Sequence, residues 1–298
     1  MLAIIIPYYK LAFFEKTLQS LASQTDKRFK VYVGNDASPE NPENLLKKFS
    51  DSFEIVYRKF DKNKGGVSLV SQWERCIAMA EHEKWITILG DDDVPEANFV
   101  AAFYHNLPEI ENLNCNVIRY ASVVIDQNDN KTSKVFQHPK TELPSGFLIR
   151  RIKGETRSSL SEYIFNKAAL QKTGFKDLPL AWYSDVLAVF EFSADGFIFS
   201  INESTVAFRI SGLNISSNDG YHKLKNEASF AFYLYLLKNK KACFDAAQTE
   251  ILRLRLEKTF LDNKRNAYFW ATFTKFHVSE LYFKKYLLFL IKIVKSVT

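Results

Sequence analysis

Short apolar runs recur along the first part of the chain, and each ends in polar or turn-forming residues. Leu2–Ile6 (closed by Pro7), Phe29–Val33, Phe53–Tyr57 and Trp85–Leu89 predict four buried strands. Between them, Phe13–Ser23, Pro42–Phe49 and Ser68–Ala80 carry helical spacing. Phe14, Leu18 and Leu21 share one face of the first of these helices. Leu69, Trp73, Cys76, Ile77 and Ala80 share one face of the third. Strands alternating with helices predict an α/β fold with a parallel, Rossmann-like sheet flanked by helices.

Further along, Ala97–Leu107 reads as a helix and Asn116–Ile125 as a long strand. Gln127–Lys131 is a turn, with Thr132–Phe136 as its expected hairpin return. Pro139–Thr156 has no clean period; with Arg150, Arg151 and Lys153, and Arg157 just beyond, it reads as a flexible basic segment. Ser161–Phe165 predicts a strand, Lys167–Thr173 and Ser184–Ala194 helices, and Phe197–Asn202 and Thr205–Ile210 two further strands. After the loop Ser211–Gly220, Lys223–Thr298 shows only helical patterning. The expected organisation is an α/β domain over 1–220 and a helical extension over 221–298. In the last segment, Phe283, Leu287, Leu290, Val294 and Val297 fall on one face and Lys284, Lys285, Lys292 and Lys295 on the other. Such a helix suits a membrane interface, and equally suits packing on its own domain.

Composition narrows the partners. The chain has 298 residues, is 47% hydrophobic and contains 26 Phe, enough for a substantial core. A net charge of +6 suits nucleotide phosphates, other polyanions or an anionic membrane surface. No basic run interleaved with aromatics marks a nucleic-acid groove, so no nucleic-acid partner is expected. Cys76, Cys115 and Cys243 are widely spaced, without a CxxC or Cys/His cluster, which argues against zinc and against a disulfide framework. No apolar run reaches the roughly 18 residues that span a bilayer. The expected location is cytoplasmic, with contact at the inner face of the membrane left open.

Candidate chemistry gathers at predicted strand ends. Ile86-Thr87-Ile88-Leu89 runs into Gly90 and then Asp91, Asp92 and Asp93. Three adjacent carboxylates form either a solvated turn or a seat for a hard cation, and ligands of α/β sheets bind beyond the carboxyl ends of strands. Pro7-Tyr8-Tyr9 follows the first strand, where an aromatic can stack on a base. Asp36, in Asn35-Asp36-Ala37-Ser38 after the second strand, can accept from a base imide or a ribose hydroxyl, or cap a turn. Asn63-Lys64-Gly65-Gly66 precedes a helix, where backbone N–H groups and a lysine can meet phosphate. No G-x-G-x-x-G or P-loop is present. In this order, the four stretches compose a nucleotide-diphosphate site closed by a metal.

These stretches resemble the inverting GT-A glycosyltransferases of family 2. Ile4–Tyr9, Val33–Ser38, Asn63–Gly66 and Leu89–Asp93 carry the likeness. Ser161–Phe165, Thr173–Phe175, Trp182–Asp185, Val206–Ser211 and Asn214-Ile215-Ser216 extend it to about residue 218. The resemblance implies a GT-A mixed sheet and sugar transfer from a nucleotide-diphosphate sugar, UDP first. The acceptor would be a saccharide or a lipid-linked saccharide, in surface polysaccharide synthesis. It implies Mg²⁺ or Mn²⁺ on Asp92 with Asp93 beside it, and Asp185 as general base. Pro7, Tyr8, Tyr9, Asp36, Asn63, Gly65 and Asp91 would contact the nucleotide, and Arg157, Trp182 and Arg209 the acceptor or phosphates. The chain departs from the family at Gly90, in place of a common Asp, which shifts the ribose contact to Asp91. It departs again at Ser184, in place of a common Glu, and at Ser211, where some members have His. These departures keep open a non-catalytic nucleotide-sugar-binding scaffold, which metal-dependent donor hydrolysis would distinguish from an enzyme.

Overall fold

The computed structural model of the chain describes residues 1–212, 219–279 and 282–295. The Asn214-Ile215-Ser216 loop and Val297 lie outside the described residues, as do the side chains of Phe283, Val294 and the four lysines of the last helix. By internal contacts the chain divides into two compact units. One is Met1–Asp177 with Ser184–Asn218; the other is Leu178–Tyr183 with Asp219–Thr298.

The first unit is built on a nine-stranded mixed sheet. Its amino-terminal half follows the predicted alternation: β1 (Leu2–Tyr8), α1 (Phe14–Ala22), β2 (Phe29–Asn35), α2 (Glu43–Lys48), β3 (Glu54–Lys59), α3 (Leu69–Ile77) and β4 (Trp85–Ile88). These four strands are parallel, with β1 between β2 and β4; Ile4 lies opposite Val31 on one side and Thr87 on the other. β1 is buried on both faces. Leu2, Ile4, Ile6 and Tyr8 join a cluster with Phe14, Leu18 and Leu21 of α1, while Ala3 and Ile5 are also fully buried. Burying a large apolar side chain contributes about 1.5–3 kcal/mol, so this strand anchors the unit.

β5 (Val94–Pro95) and α4 (Phe99–Asn112) follow, then β6 (Val117–Ile125), β7 (Thr141–Glu142), α5 (Pro144–Ile152), β8 (Tyr163–Asn166), α6 (Lys167–Thr173), α7 (Ser184–Phe192) and β9 (Ile198–Arg209). The sheet runs β3-β2-β1-β4-β8-β6-β9-β5, with β7 also on β9. β8 is antiparallel to both β4 and β6, so the sheet is mixed, as in GT-A folds.

Four expectations from the pattern are corrected. α4 continues through Pro108 to Asn112 rather than ending at Leu107. Pro139–Thr156 is not a flexible basic loop: it forms β7 and α5, because Phe147 and Leu148 are fully buried and Arg150 forks onto Glu142 at 2.7 and 2.8 Å. Thr132–Phe136 is no regular hairpin strand: it meets β6 at the isolated bridge Ser122–Phe136, next to the Ile125–Lys131 bridge, and through Ser133, whose hydroxyl accepts the Val124 N–H at 2.9 Å. The two strands expected over 197–210 are one strand, whose register on β6 shifts between Tyr120 and Ala121. A bulge of this kind breaks the alternation that sequence reading relies on.

The second unit contains α8 (His222–Asn239), α9 (Ala246–Leu261), α10 (Ala267–Ser279) and α11 (Phe283–Lys295). Aromatic contacts join them. Phe230 of α8 meets Phe269 of α10 at 4.2 Å, and Phe289 of α11 meets Phe260 and Phe273 at 5.3 and 4.7 Å. The α11 face differs from expectation. Phe289 is its buried anchor, whereas Leu287, Leu288 and Ile291 are exposed. Among the described residues no helix is long and apolar enough to cross a membrane.

One position tests the packing of the sheet edge that carries the second strand-end loop. A Cβ at Gly34 would overlap the Cys76 sulfur on α3 and crowd Phe60 at 3.1 Å. Gly34→Ala is expected to destabilise by about 1–3 kcal/mol in urea unfolding, the usual cost of overpacking. Adding Cys76→Ala should recover much of the loss; no recovery would show that the clash lies elsewhere.

Candidate active site

The Asp91–Asp93 loop joins β4 to β5 and is fastened from several elements. Asp91 Oδ2 accepts the backbone N–H of Tyr9 and of Lys10, both at 2.8 Å, which ties the loop to the end of β1. Asp93 Oδ1 accepts the Arg209 backbone N–H at 3.0 Å, and its other oxygen accepts from the Ser161 hydroxyl. Ser161 Oγ also accepts the Gly90 N–H at 3.0 Å, and Arg209 Nε donates to the Asp92 carbonyl at 2.9 Å. Gly90 has a spatial reason: a Cβ there would lie 2.9 Å from Asp93 Oδ2 and 3.1 Å from Asp92 Oδ1. A side chain here would have to push the Asp92 and Asp93 carboxylates aside.

The three carboxylates therefore differ. Asp93 is 2% exposed. Burial first, then the Asp92 charge, push its carboxyl upward against the Ser161 and Arg209 hydrogen bonds. Asp91 is half-buried, and the same two causes push it up to about 6, opposed by the Lys10 and Tyr9 N–H groups. Asp91 and Asp92 line a small recess with Lys10, Phe13 and Ser211. Of the two aspartates expected at a metal, Asp93 is the buried one, both of its oxygens accepting hydrogen bonds inside the fold. Among the described residues no group of three His, Cys, Asp or Glu could hold a metal by itself.

Tyr8 is internal too. The alternation of β1 turns it inward, where it packs on Phe14 at 4.8 Å and donates to the Glu40 carbonyl. Its neighbour Tyr9 is 40% exposed and remains available for stacking; Pro7 is half-buried in β1. Asp36, in the loop after β2, is 3% exposed. Its oxygens accept the N–H groups of Lys64 and Gly65 at 2.7 and 2.8 Å and pair with Arg75 of α3. Asn63 Oδ1 accepts the Gly66 N–H at 2.6 Å. The N–H groups expected to meet phosphate are thus turned onto Asp36 and Asn63. A Cβ at Gly65 would lie 2.6 Å from Asp36 Oδ2, so glycine lets the loop close on its cap.

Arg157 and Arg209 are also more internal than their charge suggested. Arg209 is fully buried, 4.6 Å over the Phe13 ring, donating to the Asp126 carbonyl and pairing with Asp129. Arg157 lies over Phe208 and reaches Glu162 at 3.5 Å. Beneath them, Arg119 of β6 donates to Glu162 at 2.8 Å, both almost fully buried. Sequence reading missed Arg75, Arg119 and Glu162. The signal for Arg119 was present as a lone charge inside the apolar run Val117–Ile125, since such residues are almost never buried unpaired. Asp185 lies in the first turn of α7, half-buried. Burial raises its carboxyl; Arg151 and the Val186 N–H oppose this, and Glu162 adds to it. Trp182 belongs to the second unit.

A mixed sheet with β8 antiparallel to β4 and β6, a capped loop after β2 and an acidic turn after β4 make a GT-A-like fold. The glycosyl transferase family 2 model matches residues 3–178, more than half of the sequence, and the chain belongs to that family. Among solved structures, S. aureus TarS residues 1–349 in complex with UDP-GlcNAc superposes with a TM-score of 0.64 at 17% identity, covering 87% of this chain and 72% of that one. The same TarS fragment in complex with UDP gives 0.60 at 16% identity, covering 90% and 74%. No curated protein sequence matches this chain.

The buried polar layer beside Arg119 gives a pH prediction. Burial, then Arg119 and Arg150, hold the His138 imidazole down from 6.5 to about 2. Its folded value is depressed, so the unfolded chain takes up the proton first. Stability is therefore full above about pH 6.5 and lost as pH falls below it, by at most about 1.4 kcal/mol per pH unit from this group. His138→Asn should flatten the pH 4–6.5 limb of a urea-unfolding profile. An unchanged slope would remove His138 as its source.

Proposed function

We propose that this chain is an inverting glycosyltransferase. It moves a sugar from a nucleotide-diphosphate sugar, most simply a UDP-sugar, to a saccharide or lipid-linked saccharide acceptor in surface polysaccharide synthesis. The observation that carries the reading is the recess at the ends of β1 and β4, where Lys10 faces Asp91 and Asp92 in a family 2 chain. The neighbouring TarS structures, crystallised with UDP and UDP-GlcNAc, support the choice of nucleotide.

The donor set fits a divalent cation brought in with its substrate. Mg²⁺ takes one or two protein carboxylates and completes its shell with phosphate oxygens and water, so Asp92, with Asp91 beside it, is sufficient. When bound, Mg²⁺ or Mn²⁺ neutralises charge developing on the departing diphosphate. The Lys10 ammonium adds a second positive contact for that diphosphate. Tyr9 offers a ring face to the base. Asp91 meets the ribose, and Asp36, whose oxygens are taken by Arg75 and the Lys64 and Gly65 N–H groups, holds the Asn63–Gly65 loop beside the site. Asp185 accepts the proton of the acceptor hydroxyl as that oxygen bonds to the anomeric carbon. The bond to the diphosphate breaks in the same step, and configuration inverts. Its burial suits this role, because a raised carboxyl is a stronger base. In α11, the exposed Leu287, Leu288 and Ile291 suit peripheral contact with an anionic membrane on the cytoplasmic side.

Two measurements test the proposal. Calorimetry should find UDP binding that strengthens with Mn²⁺ and weakens at least roughly tenfold in Asp92→Ala, the effect of removing a metal ligand. If UDP, GDP and dTDP all fail to bind the wild type, the donor site is wrong. Asp185→Asn should leave UDP affinity within about twofold while turnover falls about 10²-fold or more. Near-normal turnover in that variant would take the base role from Asp185.

A further inference from the structure

The second unit holds a groove of about 600 Å³ that the reading above leaves unused. One wall is aromatic, formed by Trp182 and Tyr183. The other is cationic, formed by Lys223 and Lys225 of α8 and Arg255 and Lys258 of α9. These four fixed positive charges are set against a single lining carboxylate, Asp262, which Lys258 reaches at 3.4 Å. Lys225 Nζ sits 5.1 Å from the centre of the Trp182 ring, so positive charge and aromatic face form one surface. Asn263 also lines the groove, and its buried Nδ2 has no hydrogen-bond partner among the described residues. A buried donor without an acceptor is costly, and an acceptor-rich ligand would recover that cost.

The aromatic wall is held in a demanding conformation. Leu180, Ala181 and Tyr183 adopt left-handed φ values of 60°, 51° and 71°. Residues other than glycine persist there only where their surroundings dictate it. Here the Tyr183 ring stacks on Phe232 of α8 at 4.3 Å, with Tyr233 at 6.0 Å. Strain kept in place by a ring stack fixes the wall against the cations. In the sequence, Tyr183 is separated from Asp185 by Ser184 alone.

We propose that this groove binds the acceptor, and that the acceptor is an anionic saccharide carrying phosphate or carboxylate groups. Sugar rings pack their apolar faces on Trp182 and Tyr183, while Arg255, Lys258, Lys223 and the Asn263 amide take the anionic and hydroxyl oxygens. The inference rests on the transferase reading for the word acceptor, but the groove is tested separately.

Binding of tetragalacturonate, glucose 1-phosphate and neutral maltotetraose is measured by calorimetry at low salt, on wild type, Arg255→Ala/Lys258→Ala and Trp182→Ala. Both altered cations are exposed, so the double variant should fold. The wild type should bind at least one anionic probe about tenfold or more tightly than maltotetraose. Each variant should lose about tenfold of that affinity, with UDP–Mn²⁺ affinity held within about twofold. Binding by tetragalacturonate alone assigns carboxylate, and by glucose 1-phosphate alone, phosphate. Equal binding of the neutral sugar, or variants that bind as wild type does, overturns the proposal. So does binding to vesicles of 30% phosphatidylglycerol that needs Arg255 and Lys258 while neither soluble anion binds; the groove would then face a membrane. Loss of UDP binding in the wild type with anion binding intact would overturn the donor reading and leave the groove standing.

Discussion

A buried carboxylate must be satisfied from within the protein, and Asp93 shows what that requirement builds. Its two oxygens take the Arg209 backbone N–H and the Ser161 hydroxyl, drawing β9 and the turn before β8 onto the loop after β4. Ser161 then holds Gly90, and Arg209 holds the Asp92 carbonyl. The third aspartate of the triplet thus acts as a peg. Because it is fixed, Asp91 and Asp92 are presented to the recess in a defined geometry rather than repelling one another on a mobile turn. Leaving a buried charged group without partners costs several kcal/mol, so the peg cannot be loosened cheaply.

The same logic governs the loop after β2. Asp36 uses two N–H groups and the Arg75 guanidinium to fasten the Asn63–Gly66 loop to the sheet edge. Across the sheet, Arg119 of β6 and Arg157 pair with Glu162 in a largely buried ionic layer. The charges that stand out in the family motifs therefore divide into two kinds. Some hold the strand ends in place, and others face the recess. Preorganisation of this sort puts the reacting groups in position before a substrate arrives.

Much of this was legible in the chain. The parallel half of the sheet followed from apolar runs alternating with helical periods, and the Asp triplet, the Asp36 loop and the glycine loop were visible as polar breaks at strand ends. Asp185 stood out at the head of a helix. Less legible was the direction in which each polar side chain points. Tyr8 looked like a stacking residue until strand alternation and Phe14 placed it inside. Asp93 looked like its neighbours until Arg209, more than a hundred residues away, claimed it. The Pro139–Thr156 stretch looked loose because its two buried anchors, Phe147 and Leu148, are crowded by arginines that pair elsewhere.

The sequence by itself determined the elements and the chemistry available at strand ends, because periodicity and turn residues act over a few positions of the chain. The tertiary structure decided which carboxylates face outward, which arginines are internal, and that Trp182 meets Lys225 and Tyr183 meets Phe232 of a later helix. Those choices rest on desolvation and hydrogen bonding between residues far apart in the chain. A charge is the same letter in either role; only the partners that the fold brings to it determine whether it is a peg or a ligand.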